Sequence, residues 1–125
     1  MALRIIFVRH AETKDNKDDI VRGRTDVPLS DVGRIQARLV GKRLSGEKID
    51  FIYSSPLSRA LDTAKEIAKH HPGISVRKIP EIVEQDFGSL EGKSIFEWLE
   101  WTGKHGMHKK FPGGESWSDL KKRVE

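Results

Sequence analysis

The sequence of 125 residues contains no cysteine. This absence excludes a disulfide scaffold, a zinc site built from thiolates and a cysteine nucleophile. The sequence also has no apolar run of the roughly 18 residues that a membrane span needs. Its first apolar run, residues 3–8, is too short for the charged and apolar parts of a signal peptide. With no targeting segment, we expect a cytoplasmic protein that has no membrane partner.

The composition is that of an ordinary globular domain with a charge-rich surface, because 36% of the residues are hydrophobic and 34% are charged. The formal net charge of +4 favours an anionic partner. Charge alone leaves nucleic acid, an anionic lipid face and a small phosphorylated metabolite open. The basic residues are interleaved with acidic ones and form no stripe, so we expect no nucleic-acid partner. A homodimer is compatible with this composition.

Short apolar runs alternate with helical patterns along the chain. Strands are predicted at residues 3–8, 51–53 and 76–79. Helices are predicted after Ser30, over residues 58–70, after Ser94 and after Ser116, where serine is suited to cap a helix N-terminus. This order predicts an α/β fold, a three-layer sandwich in which helices flank a mainly parallel sheet.

Charged side chains follow the first two predicted strands, where active sites of parallel sheets lie. Arg9 and His10 follow the first strand, and Arg59 comes shortly after the second. Two guanidinium groups suit a phosphate dianion, and like charge keeps a neighbouring imidazole neutral and nucleophilic. Glu84, beyond the third strand, is a candidate proton donor, because a carboxyl beside a bound phosphate retains its proton more readily.

Each of these residues also has an ordinary structural interpretation. Arg9 and His10 could be a surface pair at a strand end, and Glu84 a solvated carboxylate. Arg59 could pair with Asp62 or Glu66. A cation is less natural at a helix N-terminus, however, so a bound anion is the better explanation of Arg59. His105 and His108 lack metal-ligand spacing on a helix, and we expect no metal.

Five segments, in order, resemble the signature of the histidine phosphatase superfamily, the phosphoglycerate-mutase-like proteins. Together they cover nearly the whole chain. The segments are RHAET at 9–13 with Asn16, DVPLSDVGRIQA at 26–37 after Gly23, SSPLSRALDTA at 54–64, EQDFGSLEG at 84–92 and PGGES at 112–116. The resemblance implies a phosphoglycerate-mutase-like fold over a single domain at 1–125.

The resemblance also implies roles for individual residues. His10 would be transiently phosphorylated, and Glu84 would donate the proton. Four residues would bind substrate: Arg9, Arg59, Asn16 and Thr13. The implied activity is metal-independent and needs no cofactor. The substrate would be a small phosphorylated metabolite.

The predicted function is therefore phosphomonoester hydrolysis through a phosphohistidine intermediate. The segments FGSLEG and PGGES resemble the phosphatase branch more than the mutases. The short spacing between Thr63 and Glu84 also leaves little room for the longer inserts associated with the mutases. Two alternatives stay open. One is phosphoglycerate mutase, an isomerase, and the other is a domain that binds a phosphorylated ligand without catalysis.

The sequence departs from the family pattern in two respects. Ala11 stands where glycine is usual, which would cost about 1 kcal/mol if the position needs a positive φ. No Ser-His-Gly segment with a second catalytic histidine follows Ser116. We therefore expect that residues 1–125 lack the C-terminal part of the family domain and that this chain turns over more slowly than a longer form.

Overall fold

A computed structural model describes residues 2–125. Two strands and five helices are formed in this range. The strands are β1 at Ile52–Ser54 and β2 at Val76–Lys78. The helices are α1 at Lys14–Lys17, α2 at Asp31–Arg43, α3 at Ser58–Ala68, α4 at Ile95–His105 and α5 at Trp117–Val124. Two short 3-10 turns lie at Pro80–Ile82 and Gly88–Leu90.

The sheet is built from β1 and β2, which run parallel with Tyr53 opposite Arg77. Helix α3 connects the two strands, as a parallel pair requires a crossover. The apolar side of this unit buries Ile52 against Ala64 and Ile67 of α3. Helix α2 packs against α3 and adds Val40 to the same core. The predicted α/β fold, with a parallel sheet flanked by helices, is confirmed.

The serines that were predicted to cap helices do so. The Ser30 side chain accepts a hydrogen bond from the Gly33 amide at the start of α2. Ser94 and Ser116 each form a capping box with the acidic residue three positions later. These local bonds satisfy amide groups that a helix N-terminus otherwise leaves unpaired. The sequence therefore places the helix starts well, whereas α3 ends at Ala68 rather than at residue 70.

The predicted strand at residues 3–8 is wrong, because the structure pairs this run with no other strand among the described residues. Leu3 is 88% exposed and Phe7 is 92% exposed. An extended run becomes a sheet strand only where a neighbour supplies ladder hydrogen bonds and a second layer covers its side chains. The ladder of β1 is formed with β2, and the outer side of α2 leaves Ile35 and Leu39 exposed.

An aromatic cluster holds α4 to the segments that precede and follow it. Phe111 is buried and makes an edge contact with Phe87 at a centroid distance of 5.2 Å. The rings of Trp101 and Phe111 also pack together, with their centroids 4.5 Å apart. Trp98 packs edge-on against Phe87. Within residues 2–125, no helix combines the length and the apolar character that crossing a bilayer requires.

Candidate active site

The loop that carries His10 is tied directly to helix α3. The Ala11 amide donates to Thr63 Oγ1 at 3.1 Å, and Thr63 Oγ1 donates to the Arg59 carbonyl oxygen at 2.7 Å. A hydroxyl can donate and accept at once, so Thr63 links the two segments. Both residues of α3 are buried. This link brings the backbone beside His10 to the helical turn that carries Arg59.

Arg59 is buried, with 4% of its surface exposed. Its Nη1 donates to the Thr25 carbonyl oxygen at 3.0 Å and its Nη2 to that of Gly23 at 2.7 Å. These bonds use two of the five N–H donors of a guanidinium. The structure shows no ion pair from Arg59 to Asp62, and Glu66 pairs with Lys69 instead. Arg59 therefore anchors the loop at residues 23–25 and brings a cation into the site.

Asp26 is a site residue to which the sequence analysis gave no role. Its Oδ1 accepts hydrogen bonds from the Ser58 amide at 2.9 Å and from Ser58 Oγ at 2.7 Å, at the first turn of α3. The bond from the Ser58 side chain is the main cause that lowers the pKa of Asp26, and Arg59 adds to it. The only sequence signal was its place in the DVPLS segment. Asp26 closes the loop over the start of the helix that carries Arg59.

Two glycines allow the site loops to approach each other closely. A Cβ on Gly23 would lie 2.1 Å from the Gln85 carbonyl oxygen, and a Cβ on Gly33 would lie 2.0 Å from that of Glu12. Neither contact leaves room for a side chain. The glycines at these positions of the family-like segments thus bring the loop of Glu84 and the loop of His10 against their neighbours.

The imidazole of His10 is half-buried and lies among charged groups. Burial lowers the pKa of His10, its hydrogen bond to Ala11 opposes this, and the cations Arg59 and Arg9 lower the pKa further. Glu84 acts in the opposite direction. All the predicted charged residues therefore lie close enough to His10 to influence its ionisation.

The hydrogen bond of His10 also determines its neutral tautomer. His10 Nδ1 lies 2.7 Å from the Ala11 carbonyl oxygen. A carbonyl oxygen only accepts, so Nδ1 carries the proton and Nε2 keeps a lone pair in the neutral ring. Nε2 is consequently the ring atom that is suited to nucleophilic attack.

The remaining predicted residues lie in less constrained surroundings. Arg9 and Glu84 are exposed, and Glu84 Oε1 accepts from the Gln85 amide at 2.8 Å. Thr13 is buried and forms a capping box with Asn16 at the start of α1, with Asn16 Oδ1 accepting from the Thr13 amide at 3.1 Å. The structure thus gives Thr13 and Asn16 a role in shaping the first loop, and their role in substrate binding stays a prediction.

Ala11 causes no backbone strain. Among the non-glycine residues of the described range, only Asp19 has a positive φ, at 53°. Ala11 is itself buried beside Leu29 and Ala37. The replacement of the usual glycine therefore carries no conformational penalty here. Within residues 2–125, no group of three or more histidine, aspartate or glutamate side chains is placed to hold a metal ion.

Comparison with known families agrees with this arrangement. Residues 5–125 match the model of the histidine phosphatase superfamily, branch 1. The chain belongs to this superfamily. Histidine phosphatases of known structure share its fold: the native structure of a mycobacterial glucosyl-3-phosphoglycerate phosphatase superposes with a TM-score of 0.79 at 28% identity, covering 91% of this chain and 56% of that one.

Two curated relatives illustrate the range of proteins that this chain is similar to. Phosphoserine phosphatase 1 of Hydrogenobacter thermophilus is 38% identical over 132 residues, which cover 98% of this chain and 61% of the relative. Phosphoglycerate mutase-like protein 4 of Arabidopsis thaliana is 42% identical over 89 residues, which cover 70% of this chain and 39% of the relative. The chain thus spans about three fifths of the length of the phosphoserine phosphatase.

Proposed function

We propose that the protein is a metal-independent phosphomonoester hydrolase that works through a phosphohistidine on His10. The observation that carries this proposal is the placement of His10. Its Nδ1 is directed at the Ala11 carbonyl oxygen, Thr63 ties its loop to the turn of Arg59, and Arg9 and Arg59 both act on its ring. A neutral imidazole beside two guanidinium groups suits attack on a phosphate ester.

The proposed reaction has two steps. In the first, His10 Nε2 attacks phosphorus, the bond from phosphorus to the ester oxygen breaks, and the alcohol leaves with a proton from the Glu84 carboxyl. In the second, water attacks the phosphohistidine, Glu84 takes up a proton, and inorganic phosphate leaves. Arg9 and Arg59 stabilise the charge on the phosphoryl oxygens in both steps.

The proposed substrate is a small phosphorylated metabolite in the cytoplasm, with Thr13 and Asn16 at the edge of its site. Charge and similarity support this class. The net charge is +4, and relatives include a phosphoserine phosphatase and an acid phosphatase. No cofactor is part of this proposal.

A phosphorylation experiment tests the nucleophile. The protein is incubated with a phosphodonor such as phosphoramidate and quenched in alkali, and the acid-labile phosphate is counted. We expect His10→Ala to abolish the label. His70→Ala, which changes an exposed histidine two residues beyond the end of α3, is the matched control and should keep it. Label that persists in His10→Ala would place the nucleophile elsewhere.

Phosphoglycerate mutase activity is the second candidate, because a phosphoglycerate mutase-like protein is 42% identical over 89 residues. Incubation with 3-phosphoglycerate and a trace of bisphosphoglycerate distinguishes the two. Isomerised product with little free phosphate would favour the mutase. Free phosphate without isomerisation would favour the hydrolase, and a protein that binds phosphate but never labels His10 would be a binding domain.

A further inference from the structure

A partly buried ion pair joins helix α5 to the segment that precedes it. Arg123 Nε donates to Glu115 Oε2 at 3.1 Å, and Arg123 Nη2 donates to Glu115 Oε1 at 2.8 Å. The side chains are 20% and 11% exposed. Two parallel N–H donors on one carboxylate form the strongest type of side-chain pair, with a fixed relative geometry. The Arg123 guanidinium is therefore held in one orientation.

The same guanidinium binds backbone carbonyl oxygens of Glu84 and of the residues just before it. Arg123 Nη2 shares its two N–H groups among Glu115 Oε1, the Val83 carbonyl oxygen at 2.6 Å and the Glu84 carbonyl oxygen at 3.1 Å, and Nη1 donates to the Glu81 carbonyl oxygen. Glu81 belongs to the 3-10 turn at Pro80–Ile82, whereas Val83 and Glu84 follow it in a segment that is neither strand nor helix. A single side chain thus supplies most of the hydrogen bonds that fix the carbonyls of residues 81–84.

Glu115 fixes the other end of this segment. Its Oε1 accepts from the Asp86 amide at 3.0 Å, and its carbonyl oxygen accepts from Gln85 Nε2 at 3.3 Å. Arg24 adds a bond from its Nε to the Glu84 carbonyl oxygen at 3.2 Å. The ion pair of Glu115 and Arg123 therefore clamps residues 81–86, and we call these two side chains the loop clamp.

Within the described residues, the loop clamp makes no hydrogen bond to the Glu84 carboxyl, which accepts from the neighbouring Gln85 amide. This carboxyl lies near enough to His10 and Arg59 to act on both charges. The backbone of Glu84 is therefore fixed, while its side chain is exposed. A general acid needs this arrangement, since the proton must reach the ester oxygen within hydrogen-bond distance, and a displacement of about 1 Å reduces the rate strongly.

We propose that Arg123, together with Glu115, is a positioning residue for the proton-donating carboxyl of Glu84. The inference rests on the proposed hydrolase function, because Glu84 has no proton to deliver otherwise. The alternative is that the loop clamp only attaches α5 to the domain. The two differ in one respect: a positioning role affects the protonation of the leaving group, whereas attachment affects every substrate equally.

The choice of ester separates these roles. In 4-nitrophenyl phosphate the leaving phenolate is stabilised and needs little help from an acid, whereas the leaving group of phenyl phosphate needs the proton. We expect Arg123→Ala to slow phosphorylation of His10 by phenyl phosphate at least about 10-fold more than by 4-nitrophenyl phosphate, a part of the 10² to 10⁴ that a general acid supplies. Glu84→Gln should show the same preference, and adding Arg123→Ala to it should cause little further loss.

Three further variants make the test independent of folding defects. Lys122→Ala, on the same helix but exposed, is the matched control and should behave as the unaltered chain. Glu115→Gln keeps the shape of the clamp while it removes the charge. It should also lose more activity with phenyl phosphate than with 4-nitrophenyl phosphate, but by a smaller factor than Arg123→Ala. Arg123→Lys keeps the charge but not the bidentate fork, and should recover only part of the activity towards phenyl phosphate.

Backbone hydrogen exchange supplies a readout that needs no turnover. In Arg123→Ala we expect the Asp86 amide to exchange at least about 10-fold faster, while the amides of α3 stay protected. Unchanged Asp86 exchange, or equal losses with both esters in a variant that labels His10, would overturn the positioning role and leave the hydrolase proposal intact. Failure of the unaltered chain to label His10 with either ester would overturn the hydrolase proposal itself.

Discussion

Two apolar runs lead into the candidate site, and the structure treats them differently. Strand β1 is paired with β2, covered by α3, and followed by a buried Arg59. Residues 3–8 are unpaired and exposed, and Arg9 after them is exposed too. The comparison teaches that an apolar, β-branched sequence provides only the tendency to form a strand. The ladder partner and the covering layer decide whether the tendency is realised.

The two runs also differ in how they hold the arginine that follows each of them. Arg59 lies on α3 and donates to two loop carbonyl oxygens, whereas no comparable bonds hold Arg9 in the described structure. His10 belongs to the exposed run by sequence, yet Thr63 attaches its loop to the rigid side. The proposed nucleophile, His10, is therefore positioned through the bond of its neighbour Ala11 to α3 rather than by sheet pairing of residues 3–8.

The largest difference in the free energy of unfolding is expected between two variants that each truncate one side chain, one in β1 and one in residues 3–8. Ile52→Ala should lower the free energy of unfolding by about 2–4 kcal/mol, because it opens a cavity in the core. Phe7→Ala should change it by less than about 0.5 kcal/mol, because the ring is 92% exposed. Urea unfolding of both variants measures this. A large loss in Phe7→Ala would mean that the first run is covered in solution and would remove the contrast.

Replacing Arg59 should destabilise the protein more than replacing Arg9. Arg59→Ala leaves the carbonyl oxygens of Gly23 and Thr25 without their donors and should lower the free energy of unfolding by about 2–3 kcal/mol. Arg9→Ala should cost less than about 0.5 kcal/mol, while still reducing the rate of His10 phosphorylation. Thermal or urea unfolding, together with the label assay, measures both properties. Equal losses of stability would show that Arg9 is held as firmly as Arg59.

A smaller effect is expected at Thr63, which links the loop of His10 to α3. Thr63→Val removes the hydroxyl that joins Ala11 to Arg59 and should lower the free energy of unfolding by about 1–2 kcal/mol. Thr102→Val, on α4, is a matched control, because its hydroxyl bonds only within its own helix. Thr102→Val should lower the free energy of unfolding less than Thr63→Val does. Phosphorylation of His10 should fall only in Thr63→Val. Similar behaviour of both variants would argue against Thr63 as the link.

The smallest effect concerns the pKa of His10. Removing the exposed cation in Arg9→Gln should raise this pKa towards 6.5, because Arg9 is one of the groups that lower it. An NMR titration of the imidazole carbons measures the shift, with the exposed His105 as reference. An unchanged pKa of His10 in Arg9→Gln would show that Arg9 is turned away from the site.

The sign of the pH dependence follows from the lowered pKa. Below the unfolded-state pKa near 6.5, the unfolded chain binds a proton at this histidine more readily than the folded chain. The contribution of His10 to stability is therefore present above that pH and decreases as the pH falls towards the folded-state pKa. The label rate should fall in the same direction, because the protonated ring has no free lone pair.

The sequence allowed the helix starts to be predicted, because they depend on local chemistry, and the family-like segments pointed to the charged residues near His10. Ser30, Ser94 and Ser116 cap helices through bonds to residues three positions later. Arg9, Arg59 and Glu84 all act on the charge of His10, although residues 3–8 form no strand that would bring His10 to the edge of the sheet. Residues near in sequence, or brought together by a βαβ unit, are thus within reach of pattern analysis.

Contacts between distant segments were out of reach. The sequence analysis gave Arg123 no role, because its contacts with the Glu84 segment span about 40 positions. The exposure of residues 3–8 was missed for a similar reason, because periodicity records what a run prefers and not which segments are available to pair with it.

The hydrogen bond from His10 Nδ1 to the Ala11 carbonyl oxygen has a consequence for the covalent product. A phosphoryl group accepted on Nε2 would yield the τ isomer of phosphohistidine and not the π isomer. The bond on the opposite nitrogen would persist through the cycle, so the ring would need no rotation between its free and loaded forms. Isomer-specific antibodies would therefore read the orientation of this single imidazole.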